Sequence, residues 1–154
     1  MNVTVNTDAS FCPDTKAGGY SVFVVSNRGK FAKSGMYKEK TANSTSAEVK
    51  ALVNGVYWGI SKGIIKHGDV VLLQCDCTGA LDRIENGNQP TLNKWAKQYN
   101  LKYKFKHVKG HTRLTSTSAG RFVSNHINDD RAYKAMQNMR QKLKLQEAKK
   151  NAKI

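Results

Sequence analysis

Acidic residues are missing from a long stretch of this chain: between Asn86 and Asn128 there is neither an aspartate nor a glutamate. Over the whole sequence 26 Lys+Arg face 11 Asp+Glu, a formal charge of +15. The acid-free stretch carries Lys94, Lys97, Lys102, Lys104, Lys106, Lys109, Arg113 and Arg121, and from Arg131 onward Glu147 is the single acid. Such an imbalance points to a polyanionic partner; the bland alternative is a solvated basic face kept for solubility. Also missing is any apolar run near the roughly 20 residues of a membrane span. The opening MNVTVNTDAS has no basic segment followed by an apolar one. A cytoplasmic soluble protein with no membrane partner is the expectation. Cysteine is sparse and odd in number (Cys12, Cys75, Cys77), which argues against a disulfide framework in a chain without an export signal. No linker and no repeat interrupts the 154 residues, enough for one domain that buries roughly 70% of its unfolded surface.

What is present reads as alternating strands and helices. Val3 and Val5 lead a strand to Asp8, and Gly19 to Val25 and Lys30 to Tyr37 flank the turn signal Asn27-Arg28-Gly29, so three antiparallel strands open the fold. Ala47, Ala51 and Val53, with Leu52, Val56, Tyr57 and Ile60, recur at helical spacing, and Gly63 supplies a stop. Val70 to Cys75 reads as a strand covered on both faces by crossover helices, which puts Asp76 at its carboxyl end, where open α/β sheets place their sites. Thr78 to Ile84 reads as a short helix. Thr91 to Tyr99 reads as another, with Leu92, Trp95 and Tyr99 inward. Lys102 to Val108 sets Lys102, Lys104 and Lys106 against Tyr103, Phe105 and His107, the pattern of an edge strand guarded by lysines. A Ser/Thr/Gly-rich loop from Thr112 to Ser124 precedes a last helix, beginning near Asn125, that runs into a basic tail. The expected division is a catalytic core over residues 1–138 and a basic helix extension and tail over 139–154.

Four carboxylates fall where one divalent-metal site would need them: Asp8, Glu48, Asp76 and Asp129. Each has a structural reading of its own. Asp8 could merely end a strand, and Asp76 could cap a helix. Thr45-x-x-Glu48 is a capping box, and Asp129 could complement a helix dipole. Together they repel one another unless a cation joins them, so the set favours a metal site. Cys75-x-Cys77 and His107-x3-His111 superficially offer zinc ligands, but two cysteines two apart on a strand share a face opposite Asp76, and the spacing is too short for a zinc knuckle.

The chain resembles the ribonuclease H type 1 domains, including those attached to reverse transcriptases, over roughly Asn2 to Met136. TDAS (Thr7 to Ser10) with GGY (Gly18 to Tyr20) is similar to the family's TDGS…GGY opening. TSAEVKAL carries the helix glutamate, LLQCDCTGAL resembles the strand-end DS motif, HVKGH matches the VKGH segment, and NHINDDRAYKA resembles the start of the family's last helix. The resemblance implies an RNase H-like five-stranded mixed sheet, three antiparallel strands followed by two parallel ones, with helices on both faces. It implies two Mg2+ ions, or Mn2+, held by Asp8, Glu48, Asp76 and Asp129, and His111 assisting proton transfer or product release. The implied reaction is metal-assisted endonucleolytic hydrolysis of the RNA strand of RNA/DNA hybrids, leaving 5′-phosphate and 3′-hydroxyl ends.

Nucleic-acid contacts are then expected from Ala9, Ser10, Ser44, Thr45, Cys77, Lys94, Lys109 and Asn125, in a monomer. This chain departs from the family's pattern at several of these positions. Ala9 stands for glycine, Ser44 and Thr45 for asparagines, and Cys77 for serine, while the segment Asn86 to Tyr99 is too short for the extra basic helix of some members. Two alternatives remain: a junction resolvase or exonuclease of the same superfamily, or a noncatalytic nucleic-acid-binding module. Asp8-Ala9-Ser10 lacks the Asp-x-Glu of the editing exonucleases, and the presence of all four acids weighs against a noncatalytic module.

Overall fold

The computed structural model describes residues 1–108 and 134–145. β1 (Asn2–Phe11), β2 (Gly18–Ser26) and β3 (Gly29–Met36) form an antiparallel meander. β4 (Val70–Cys75) pairs in parallel with the other side of β1, and β5 (Lys102–His107) pairs in parallel with β4. The resulting five-stranded sheet has the order β3-β2-β1-β4-β5, the mixed architecture expected. α1 (Ser44–Ser61) links β3 to β4, while α2 (Thr78–Glu85) and α3 (Pro90–Gln98) link β4 to β5. Residues 134–145 form a further helix, α4, which is continuous across residue 138. The expected loop over residues 112–124 and the start of the last helix lie outside the described residues.

The main core lies between the sheet and α1. Val3, Val5, Val24, Val71 and Leu73 pack with Val49, Leu52 and Val56, as period 2 on the strands and period 3.6 on the helix require. Gln74 is the polar exception in β4, and it is buried. On β3, Phe31 meets Trp58 of α1 with ring centroids 5.4 Å apart. Ser34 and Met36 point to the other side and line a cleft with Lys134, Ala135 and Asn138 of α4. Helices therefore cover both faces. Met136 and Met139 of α4 are buried with Cys12 and Ala17, and the Gly18 amide lies 3.2 Å from the Met139 sulfur.

α1 lies close to the sheet because two of its contact residues have no side chain. A Cβ on Gly55 would stand 2.5 Å from Val5 Cγ1 and 3.1 Å from Thr7 Cγ2, and one on Gly59 would overlap Ile65. Glycine inside a helix costs about 1 kcal/mol relative to alanine, so close packing is what these positions gain. The helix ends as expected: Lys62 caps it, and Gly63 follows with φ 72°, a left-handed conformation suited to glycine. Tyr57 is 49% exposed, so its place in the apolar repeat does not put it in the core.

At the amino end of β4 the turns are tied by charge. Arg28, between β2 and β3, donates to Asp69 through Nη1 at 2.5 Å and Nη2 at 3.0 Å, and Nη1 also reaches the Ile64 carbonyl at 2.9 Å. Asp69 accepts from the Lys66 amide as well, at 2.8 Å. The Arg28 hydrogen bond, with that amide, holds the Asp69 carboxyl down at about 2 against an opposing burial effect.

Two outcomes follow from this packing. Gly55→Ala should destabilise the fold by ~1–3 kcal/mol through overpacking, read as a lower urea midpoint at unchanged slope. Because the folded pKa of Asp69 lies below its unfolded value, its contribution is present above about pH 4 and is lost as pH falls towards 2. Asp69→Asn should thus melt below wild type near neutrality, with the gap closing across that acid window in a pH series of thermal melts.

Candidate metal centre

The site begins with a fork in the sheet. Parallel pairing of β1 with β4 ends at Asn6↔Gln74. Antiparallel pairing of β1 with β2 runs on through Asp8↔Ser21 to Phe11↔Gly18. Asp8 therefore sits inside a strand rather than ending one, because β2 keeps pairing after β4 has left. Two residues beyond the last parallel pair stand Asp8 on one branch and Asp76 on the other. Within the strands the period of two directs Asp8 to the side occupied by Asn6 and sends Cys75 into the core, while Asp76 follows directly after the end of β4.

Glu48 joins them from α1. The alternative reading of Glu48 as part of a Thr45 capping box does not hold: the cap is Asn43, whose side-chain oxygen accepts from the Ser46 amide at 2.8 Å. Ser44 and Thr45 then fill the first turn, and Glu48 lies beyond it on the buried stripe with Leu52 and Gly55. One carboxylate oxygen each from Asp8, Glu48 and Asp76 comes within 4.8 Å of the others. Asp8 and Glu48 are buried at 1% and 8% exposure, and Asp76 is half-buried. Two ionised carboxylates at that separation repel by about 3.5 kcal/mol at an effective dielectric near 20.

These residues fit a divalent ion. The donor set is all oxygen, as hard cations of the Mg2+ and Mn2+ type prefer, and a buried cluster of acids is the environment in which a cation reverses the sign of the Coulomb energy. The thiols do not take part: burial pushes the Cys75 thiol well above its ordinary range, and its Sγ lies 3.5 Å from the Cys77 carbonyl. Among the described residues the three carboxylates are the group that could hold a metal, and Cys75, Cys77 and His107 do not form another.

The other expected site residues divide into those near the cluster in the chain and those apart from it. The Ala9 amide donates to Asp8 Oδ1 at 2.9 Å, and half-buried Ser10 follows it on β1. Ser44 is exposed, and Thr45 packs at the start of α2, where a Cβ on Gly79 would lie 3.6 Å from Thr45 Cγ2. Cys77 is the N-cap residue of α2 and makes no side-chain cap bond. Lys94 lies on the exposed side of α3. Lys109, His111, Asn125 and Asp129 lie outside the described residues.

Tyr37 is a residue that sequence reasoning used only as a strand end. Its hydroxyl donates to the Ala47 carbonyl at 2.6 Å, fixing the α1 backbone beside Glu48, and its ring stacks on Tyr20 with centroids 5.3 Å apart. Burial, then the charge of Glu48, then Tyr20 and Asp8, hold the Tyr37 proton well above the usual phenol range. A signal for it was present in the GGY segment. A Cβ on Gly18 would stand 2.7 Å from the Tyr37 ring, so that glycine makes the space the tyrosine fills.

Residues 6–120 match the family described as reverse transcriptase-like. The chain belongs to that family and is an RNase H-like domain. None of the curated proteins matches it. Among solved structures it is similar to RNase H1 from the halophilic archaeon Halobacterium salinarum, at TM-score 0.62 and 16% identity over 90% of this chain and 99% of that one. It is also similar to the N-terminal RNase H domain of rv2228c from Mycobacterium tuberculosis, solved as a fusion with maltose binding protein, at TM-score 0.55 and 16% identity over 92% and 97% of the two chains. At such identity the likeness establishes the fold. That fold with its acidic cluster is compatible with nuclease chemistry. No helix among the described residues is long and apolar enough to cross a membrane.

Glu48→Gln removes one of three clustered charges at nearly constant volume. Without divalent ions it should raise the melting temperature by a few degrees, about what 1 kcal/mol gives in a domain of this size. In excess Mg2+ it should lose the stabilisation that wild type gains. Thermal unfolding in chelator and in Mg2+ measures both.

Proposed function

We propose that the protein is a metal-dependent endonuclease that hydrolyses the RNA strand of RNA/DNA hybrids, leaving 5′-phosphate and 3′-hydroxyl ends. The observation that carries this reading is the convergence of Asp8, Glu48 and Asp76 at the β1/β4 fork of an RNase H-like sheet. Asp8, Glu48 and Asp76 would hold two Mg2+ ions, with Asp129 as the fourth carboxylate, and Mn2+ would suit the same oxygens. Bound there, such ions lower the pKa of a water and stabilise charge on a departing oxygen.

The chain's own residues have separable tasks in this reading. Asp8 and Glu48, buried and braced by the Ala9 amide and the Tyr37–Ala47 bond, keep their carboxylates in place without solvent reorganisation. His111 moves a proton to or from the reacting oxygens, a task suited to an imidazole. Ala9, Ser10, Ser44, Thr45, Cys77 and Asn125 contact the strands, and the RNA strand is told from DNA by its 2′-hydroxyls in the minor groove. Lys94, Lys109 and the rest of the acid-poor half meet phosphates, which fixes register without reading sequence.

The test is incubation with labelled RNA/DNA hybrid, double-stranded RNA, double-stranded DNA and a four-way junction, each with and without Mg2+. The expected result is cutting of the hybrid's RNA strand alone, and only with metal. Asp8→Asn and Asp76→Asn should abolish it while near-native circular dichroism is retained. His111→Ala should lower turnover by ~10² to 10⁴ with little change in substrate affinity. Full activity of either aspartate variant would sink the reading, and cutting of the junction instead would replace it with a resolvase.

A further inference from the structure

Asp76 is the most exposed of the three carboxylates and lies just past the end of its strand. The last ladder bond from β5 runs from the Val108 amide to the Cys75 carbonyl at 2.9 Å, and the first bond of α2 runs from the Leu81 amide to the Cys77 carbonyl at 3.3 Å. The Asp76 carbonyl falls between these two systems, and His107 Nε2 lies 3.1 Å from it. A carbonyl oxygen can only accept, so Nε2 must carry the proton. His107 is the register partner of Cys75, so its ring crosses from β5 to the neighbouring strand at the point where that strand leaves the sheet.

Resting on the metal reading of the cluster, we infer that His107 is a positioning residue for the metal centre: its Nε2–H holds the Asp76 main chain and so aims the third carboxylate. Ala9 braces Asp8 and Tyr37 braces the chain beside Glu48. His107 completes the set, giving each described carboxylate a bond that restrains its own segment. Removing an outer partner of this kind typically weakens metal binding by about 10- to 100-fold, and an exposed ring belongs at the lower end.

The experiment measures Mn2+ affinity of the full chain by calorimetry, without nucleic acid, for wild type, His107→Ala, His107→Gln and Asp76→Asn. His107→Ala should bind Mn2+ about tenfold more weakly while its metal-free melting temperature stays close to wild type. His107→Gln keeps an N–H donor of similar reach and should recover most of the affinity. Ring 15N shifts of wild type should report a protonated Nε2. The inference is overturned if His107→Ala binds as wild type does while Asp76→Asn does not bind, if the glutamine variant is as weak as alanine, or if the ring is protonated at Nδ1 alone. Absence of Mn2+ binding by the wild-type chain overturns the metal site itself, and the inference with it.

Discussion

Like charges held together against their repulsion are the constraint around which the rest of this structure is arranged. Carboxylate oxygens from three separate segments lie within 4.8 Å of one another, two of the acids almost wholly buried. Nothing local in the chain would produce this. Asp8 and Asp76 come together because β1 and β4 run in parallel and in register up to Asn6↔Gln74 and then part. Glu48 arrives because α1 can approach the sheet at Gly55 and Gly59, where any side chain would collide with Val5 or Ile65. The hydrophobic core thus does work against the electrostatics of the site, and the valines of the two central strands supply the burial that offsets it.

The supports around the cluster are main-chain restraints more than side-chain contacts. Tyr37 bonds the Ala47 carbonyl, His107 lies on the Asp76 carbonyl, and the Ala9 amide meets Asp8 directly. The Tyr37 and His107 bonds limit where Glu48 and Asp76 can go without occupying their carboxylate oxygens, whereas the Ala9 amide engages Asp8 Oδ1 itself. Far along β4, the Arg28–Asp69 pair ties the β2–β3 turn to the loop that launches that strand. The strand bearing the site is thereby fixed at its start by an ion pair and at its end by hydrogen bonds.

Much of this was legible in the sequence, for physical reasons that differ from element to element. The β1 and β4 valines and the helical repeat of α1 declared themselves through periodicity, and Gly63 through its position after a helix. The structural alternative for Glu48, a capping box with Thr45, was plausible from sequence because Asn43, Ser44 and Thr45 can all cap; the cap is Asn43. Local pattern cannot rank three adjacent cap formers, whereas the tertiary demand on Glu48 does. Asp8 looked like a strand end because the apolar alternation stops there, yet pairing with β2 carries the strand to Phe11. His107 was grouped with Tyr103 and Phe105, but alternation governs burial only within the ladder, and at the sheet's margin its ring is exposed. Tyr37 was invisible as an anchor, since its partner is a backbone carbonyl, which sequence does not distinguish. His111, Asn125 and Asp129 lie outside the described residues.

The Asn6↔Gln74 pairing has a further consequence, which concerns errors rather than the finished fold. In a sheet, a slip of one residue between neighbouring strands turns every side chain of one strand to the opposite face. If β4 is the strand that turns, the slip would separate Asp8 from Asp76 while the run of Val70, Val71, Leu72 and Leu73 could still bury itself. In that case hydrophobicity alone distinguishes the two pairings poorly, because Val70, Val71, Leu72 and Leu73 are apolar on consecutive positions, whereas β1 alternates. A ligand that needs both aspartates distinguishes them well. If the cluster binds a divalent ion, that ion selects among folding outcomes, acting as a checksum on strand alignment that only correctly registered chains satisfy.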